Sequence, residues 1–321
     1  MMTTGRRSTA LLLGGIGLAA TVVLAGCSGG GSDPDDITIR IAFGSSGDAV
    51  DSNFEVLKEQ YEEQFPGRTV EIIVQEDDVY QTTGLPTLLS SREAPDAYFE
   101  WSGPRMRGHV ADGDGADLEA ALGGPLFEGR FDAGAFNNMD VDGSGIYMVP
   151  WTGDVTNVIW YDVDVFDELG IEVPATWDEY LDANQTMLDA GYQPMVEGNK
   201  GQWPVGSIAS HIASRVVGED LYAAVMDGEA PMNSPEMVTA FEKLAELAPY
   251  VNPSINALAD DEAMLQFFLG KAVTHQIGSW LMADAGENAG DLNFDYFNMP
   301  AFEDGAGAQD SVLGISTGFM V

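Results

Sequence analysis

Cysteine is nearly absent from this chain of 321 residues: Cys27 is the only one, which excludes an internal disulfide framework and a thiolate metal cluster. Histidine is scarce too. His109, His211 and His275 are widely separated, and no HExxH pattern, GxSxG elbow or phosphate-cradling loop accompanies them, so metallohydrolase, serine hydrolase and nucleotide-dependent readings have no motif to stand on. No cofactor motif is present. Positive charge is the third shortage, with 13 Lys and Arg against 52 Asp and Glu for a formal net charge of −39. Such a surface repels nucleic acid and anionic lipid. Lysine is confined to Lys58, Lys200, Lys243 and Lys271. Beyond the N-terminus no apolar run is long enough to cross a bilayer.

What is present begins with an export signal. Arg6 and Arg7 form a short positive region, Ala10 to Leu24 an apolar run, and Leu24-Ala25-Gly26-Cys27 a small-residue cleavage site ending in the lone cysteine. That is a lipobox, so residues 1–27 are expected to be a lipoprotein signal peptide, with Cys27 lipidated and holding the protein on the outer face of the cell membrane. Arg6-Arg7 also admits twin-arginine export. Residues 28–36, Ser-Gly-Gly-Gly-Ser-Asp-Pro-Asp-Asp, have the composition of a flexible tether. The acids of the body are dispersed, as in Glu55, Glu59, Glu62 and Glu63, and read as a solvated face.

Periodicity then gives an α/β chain. Ile37 to Phe43 alternates as a strand, Phe54, Leu57, Tyr61 and Phe65 recur at helical spacing, and Thr69 to Val74 is a second strand. Strand, helix, strand of these lengths is a βαβ unit, whose ligand loops lie at the carboxyl ends of parallel strands. Gly44 to Asp48 is such a loop. Further elements are expected as a helix over 82–91, a strand over 97–101, a helix over 110–122, strands over 145–151 and 155–161, and helices over 163–169, 203–217, 234–248 and 260–269. Thr176 with Glu179 three residues on is a capping-box start.

Five segments in order resemble the extracellular solute-binding proteins of ABC transporters, in particular the group that binds sugars and oligosaccharides. They are Ala94-Pro95-Asp96-Ala97-Tyr98, Tyr147 to Trp151, Ile159 to Gly170, Pro174 to Glu179, and Ala272 to Trp280. The resemblance implies a two-lobed fold with crossover strands as hinges and a ligand cleft between the lobes. Residues 37–151 plus 310–321 would form the N-terminal lobe and residues 152–309 the C-terminal lobe, with crossings near Thr152 to Thr156 and Gln309 to Leu313. Asp162 and His275 depart from the family pattern. Family members also run on for roughly a further quarter of their length, so an incomplete C-terminus is expected here.

A sugar site needs flat rings for C–H faces and fixed polar groups for hydroxyls. The ring candidates are Trp101, Trp151, Trp203 and Trp280, each at a strand end or loop junction; Trp160 and Trp177 are assigned to the core. The polar candidates are Ser45, Ser46, Glu100, Asp154, Glu197, Lys200 and Ser279. The implied partners are a carbohydrate ligand and the permease subunits of an importer. A surface glycoside hydrolase, which would need two facing carboxylates, and a lipoprotein for a non-sugar solute are the alternatives.

Overall fold

The structure is a computed structural model that describes residues 37–45 and 47–321. The signal peptide, Cys27, the tether and Ser46 lie outside the described residues.

In chain order the first lobe contains β1 (Ile37–Gly44), α1 (Asp48–Gln64), β2 (Arg68–Gln75), α2 (Asp77–Val79), a wide turn (Tyr80–Gly84), α3 (Leu85–Leu89), β3 (Ala97–Trp101), α4 (Pro104–Asp112), α5 (Glu119–Leu122) and β4 (Val149–Thr156). The chain then enters β5 (Val158–Asp162), followed by α6 (Val163–Leu169), α7 (Trp177–Asp189), α8 (Trp203–Val217), α9 (Glu219–Met226), α10 (Pro235–Ala245) and α11 (Asp260–Phe268). It closes with β6 (Thr274–Ile277), α12 (Leu281–Asn288), β7 (Phe294–Phe297) and β8 (Leu313–Met320).

Two sheets result. The first has the order β2-β1-β3-β8-β4 and the second β6-β5-β7. β1 pairs in parallel with β2 and β3, as the βαβ pattern requires, whereas β8 returns from the second lobe and inserts antiparallel between β3 and β4. The first core forms under this sheet from Ala42, Tyr80, Leu85, Tyr98, Met106, Met139, Met148 and Met320. In the second lobe, β5 is buried on both faces. Ile159 and Tyr161 pack with Trp177, Tyr180 and Ile212 on one side; Val158 and Trp160 pack with Phe267, Ile277 and Leu281 on the other. Alternation of side chains along a central strand divides the core in this way.

Two local expectations are corrected. The helix expected over 110–122 is two helices, because Gly113 adopts φ +88° and its N–H closes α4 onto His109 and Val110. The first sheet also keeps the chain beyond Trp151: Gly153 to Thr156 continue to pair with Ser316 to Leu313, after an irregularity between Pro150 and Gly153. The change of sheet occurs at Asn157, the single residue between β4 and β5, which takes a left-handed φ of 58°. Asparagine tolerates that conformation, and Asn157 Nδ2 is anchored on Ser207 through its carbonyl and hydroxyl oxygens at 2.9 and 2.8 Å. On the return path, the fully buried Arg215 guanidinium donates to the carbonyls of Met299, Pro300 and Ser311, fixing the segment that leads into β8.

Candidate functional site

The lobes face each other across the carboxyl ends of β1 and β2 on one side and the starts of α8, α11 and α12 on the other. Two contacts mark the boundary. A Cβ placed on Gly201 would lie 3.2 Å from Asp78 Oδ1 and 3.4 Å from Trp203 Nε1, so the α2 carboxylate of the first lobe and the α8 indole of the second share one small space. A Cβ on Gly47 would lie 3.0 Å from Asp284 Oδ1 of α12.

On the second-lobe wall the Trp203 and Trp280 rings adjoin, with centroids 5.9 Å apart and planes inclined by 55°. Both side chains are partly buried against the core around Phe267. Trp280 lies directly over Gly278, at whose Cβ position three of its ring atoms would come within 2.4 Å. At the hinge beside them, Ser279 Oγ donates to Asp154 Oδ1 at 2.9 Å, and Thr152 donates to Asp154 Oδ2 at 3.2 Å. Ser279 N also donates to Val155 O at 2.9 Å. Asp154 and Ser279 thus join β4 to the loop that carries Trp280. Lys200 is exposed, and its charge reaches Asp78.

The first-lobe wall holds residues that sequence reasoning passed over. Asp77 is half-buried. Its Oδ1 stands over Gly44 at the end of β1, and its Oδ2 accepts from Gln81 Nε2. Burial pushes its pKa up to about 6, with Gln81 opposing. Asp78 is raised as well, first by burial and then by Glu76 and Asp261, while Trp203 and Lys200 pull it down. Across from it, Asp260 is pushed up to about 7, chiefly by burial, with Glu197, Asp78 and Asp261 adding repulsion and His275 opposing. The signal for the first pair was the acidic run Glu76-Asp77-Asp78 at the carboxyl end of a parallel strand, where ligand loops gather.

Several other candidates are engaged within their own lobes. Glu100 is fully buried and does not reach the cleft, because strand alternation turns Phe99 and Trp101 to one face and Glu100 to the other. There it accepts from Trp101 N (2.8 Å), Arg105 Nε (2.7 Å) and pairs with His109 Nε2 (2.9 Å). Burial alone would raise this carboxyl, but the His109 and Arg105 contacts outweigh it and hold it below its ordinary range. The anchored Arg105 in turn lies 5.2 Å from the centroid of Trp101. Glu197 is likewise a core group: its loop pairs with the edge of β6, and Oε1 accepts from Gln276 N at 2.7 Å. The imidazole of His275, 3.5 Å from Glu197 Oε2, has its pKa raised despite burial by Glu197 and Asp260. Trp151 is exposed beside Phe54 and Phe319, and its ring contacts are with these first-lobe aromatics rather than with Trp203 or Trp280. Ser45 is engaged with Asp51 at 2.5 Å. The structure thus brings Trp203 beside Trp280 and ties Ser279 to Asp154, while Glu100 and Glu197 are buried and hydrogen-bonded within their lobes. Among the described residues no cluster of His, Cys, Asp and Glu has the arrangement of a metal site.

Two α/β lobes exchanging strands at a hinge, with an aromatic and polar cleft between them, define a solute-binding protein. The sequence agrees: residues 44–321 match the family model for bacterial extracellular solute-binding proteins, and the chain belongs to that family. Membership of an extracellular solute-binding family places it in the extracellular or periplasmic space. An uncharacterized ABC transporter extracellular-binding protein of Pyrococcus horikoshii is 26% identical over 293 residues, covering 85% of this chain and 66% of the relative. The osmoprotective compounds-binding protein GgtB of Synechocystis sp. is 23% identical, covering 92% of this chain and 72% of the relative. Among solved structures, one from work on xylan utilization by Caldanaerobius polysaccharolyticus superposes with a TM-score of 0.82 at 24% identity, covering 88% of this chain and 73% of that one. A chitin oligosaccharide binding protein gives 0.78 at 22%, covering 89% and 72%. The chain spans about two thirds of the length of the first of these relatives.

Proposed function

We propose that this protein captures a sugar or oligosaccharide in the interlobe cleft and delivers it, chemically unchanged, to the permease of an ABC importer. The observation that carries the reading is the Trp203–Trp280 pair, two partly buried indoles at the lobe boundary with carboxylates and an ammonium group around them. Stacked rings take the C–H faces of a pyranose and the charged groups take its hydroxyls, through hydrogen bonds stronger than neutral ones. Asp77, Asp78, Lys200 and Asp260 supply the polar edge. Glu100 acts at one remove, by holding Arg105 against Trp101. Closure of the lobes turns on Asn157 and on the segment held by Arg215. The lipobox at Cys27 supports attachment to the outer face of the membrane by a lipid, with the cleft rims left to dock on the permease.

The test is a thermal-shift screen of the mature chain against mono- and oligosaccharides at low and high salt, followed by recovery of the sugar. A ligand that binds only the folded state raises the melting temperature by mass action. A shift with one sugar class and intact recovered sugar supports the reading. Turnover of the sugar would transfer it to the glycoside hydrolases, and a cooperative melt unmoved by every sugar would redirect it to a non-sugar solute.

A further inference from the structure

Among the described residues the chain passes from the first sheet to the second at Asn157 and returns through residues 298–312. One helix, α8, fastens both passages. Near its start, Ser207 accepts from Asn157 Nδ2 through its carbonyl at 2.9 Å and its hydroxyl at 2.8 Å. At its end, the buried Arg215 guanidinium donates to the carbonyls of Met299, Pro300 and Ser311, while the Arg215 carbonyl accepts from Gly307 N at 2.9 Å and Gln309 Nε2 at 2.8 Å. A Cβ on Gly307 would meet Ser214 O at 2.2 Å, so the return segment lies directly on the end of the helix.

These anchors leave little backbone free to bend. Asn157 is held by the second lobe, whereas Thr156 is already paired with Leu313 in the first sheet; Ser311 is held by Arg215, whereas Leu313 is already in β8. Rotation of the lobes therefore falls on the Thr156–Asn157 link and on the exposed Val312, the few residues that absorb the change in φ and ψ. The two links stand side by side, since Thr156 Oγ1 donates to Leu313 O at 3.3 Å. Ser279, bonded to Val155, lies beside the same line. The helix that registers both links also begins with Trp203, whose ring adjoins Trp280. From Trp203 to Arg215 it runs unbroken over about 18 Å.

We infer that α8 is the lever of closure, with Asn157, Ser207 and Arg215 as positioning residues that carry a ligand contact at Trp203 to both crossings. This rests on the carbohydrate reading above. The chain from Ser28 onward has no cysteine of its own, so nitroxides on Glu59→Cys and Asp182→Cys, exposed positions of α1 and α7, report the separation of the lobes by pulsed dipolar spectroscopy. Asn157→Gly keeps the left-handed backbone and deletes the amide, which separates the anchor from the backbone angle. Without ligand it should broaden the distance distribution of the wild type. An unchanged width overturns the assignment of the anchor.

With the saccharide that most raises the melting temperature, the wild type should narrow to one shorter distance, and Asn157→Gly should stay broad at saturation; equal narrowing overturns the lever and leaves carbohydrate capture standing. Calorimetric titration of Trp203→Ala, Arg215→Met and the double variant tests transmission along the helix. Independent sites this far apart lose affinity multiplicatively, to within about 2-fold. If α8 transmits the contact, the double variant binds within about 2-fold of the weaker single variant, and multiplicative losses overturn the inference. Asn157→Gly takes the place of Arg215→Met in this cycle if the latter does not fold. A wild type that takes no saccharide overturns the carbohydrate reading, and the ligand-free widths then decide for or against the anchors.

Discussion

Replacing Gly278 with alanine adds one methyl group at a point where Trp280 leaves no room for it. The new Cβ would lie 2.0 Å from Cζ3 and 2.4 Å from Cε3 and Cη2 of the indole, where ordinary contact begins near 3.4 Å. Gly278 is itself buried at the end of β6, so the ring and not the backbone must yield, by more than an ångström. The displaced indole loses its contact with Trp203, worth about 0.5–1.5 kcal/mol for an aromatic pair, and leaves the ligand wall. Trp280→Ala should weaken saccharide binding by about 1–3 kcal/mol, on the scale of one buried aromatic. Gly278→Ala should lose a similar amount without touching the ligand. The decisive variant combines both. If the methyl acts through the ring, the double variant binds no worse than Trp280→Ala alone, and it melts above Gly278→Ala because the clash is gone. Calorimetric titration with the saccharide that most raises the melting temperature measures the first comparison, and a thermal melt the second. Additive losses in affinity, or wild-type binding by Gly278→Ala, would refute the placement of Trp280 on the ligand wall.

Glu100→Gln should destabilise the first lobe by about 2–3 kcal/mol, less than a fully buried pair because Arg105 is 43% exposed and can swing into water; denaturant melts read the loss. Arg215→Met should lower stability by about 2–4 kcal/mol by leaving buried carbonyls of Met299, Pro300 and Ser311 without their donor, and hydrogen exchange should rise around residues 299–311. Stability should also depend on pH in two opposing ways. Asp260, at about 7 in the folded protein against 3.8 for an ordinary aspartate, keeps a proton that the unfolded chain has released, so its contribution declines as pH rises from about 4 to about 7. His211, pushed down to about 4 by burial and Arg215, stays neutral where the unfolded chain takes up a proton, so its contribution declines as pH falls from 6.5 toward 4. Asp260→Asn should remove the first slope, up to about 1.4 kcal/mol per pH unit; melting temperatures from pH 4.5 to 8 that parallel the wild type would contradict the assignment.

The fold was largely legible because its signals are local. Alternation in Ile37 to Phe43, the capping box of Thr176 and Glu179, and the run from Trp203 to Val217 each mark an element through neighbours in the chain, and the structure shows each one. Sequence faltered where a backbone angle decides, at Gly113 and at Asn157. The cleft was half legible. The rule of tryptophans at loop junctions picked Trp203 and Trp280, whose rings adjoin, and also Trp151, whose ring meets Phe54 and Phe319 instead. Carboxylates were harder, because in so acidic a chain their identity carries little information. Glu100 and Glu197 fell to the core through strand parity and an edge pairing with β6, both long-range facts. Asp77 and Asp260 matter for the opposite reason, since folding places them half-sheltered at the lobe boundary.

The insertion of β8 between β3 and β4 has a consequence for the order in which the chain can mature. Thr317 meets Thr152 across 165 residues, and the whole second lobe lies between them. Closing so long a loop is slow and entropically unfavourable until the intervening chain has condensed. The second sheet needs only residues 158–297, all contiguous, so it can condense by itself and bring Leu313 back toward its partners. Until that happens β3 and β4 each have an open edge, the exposed backbone on which chains aggregate. The chain therefore carries a built-in delay: its first lobe is made first and finished last, and a chaperone that shields the early strands would have most to do during that interval.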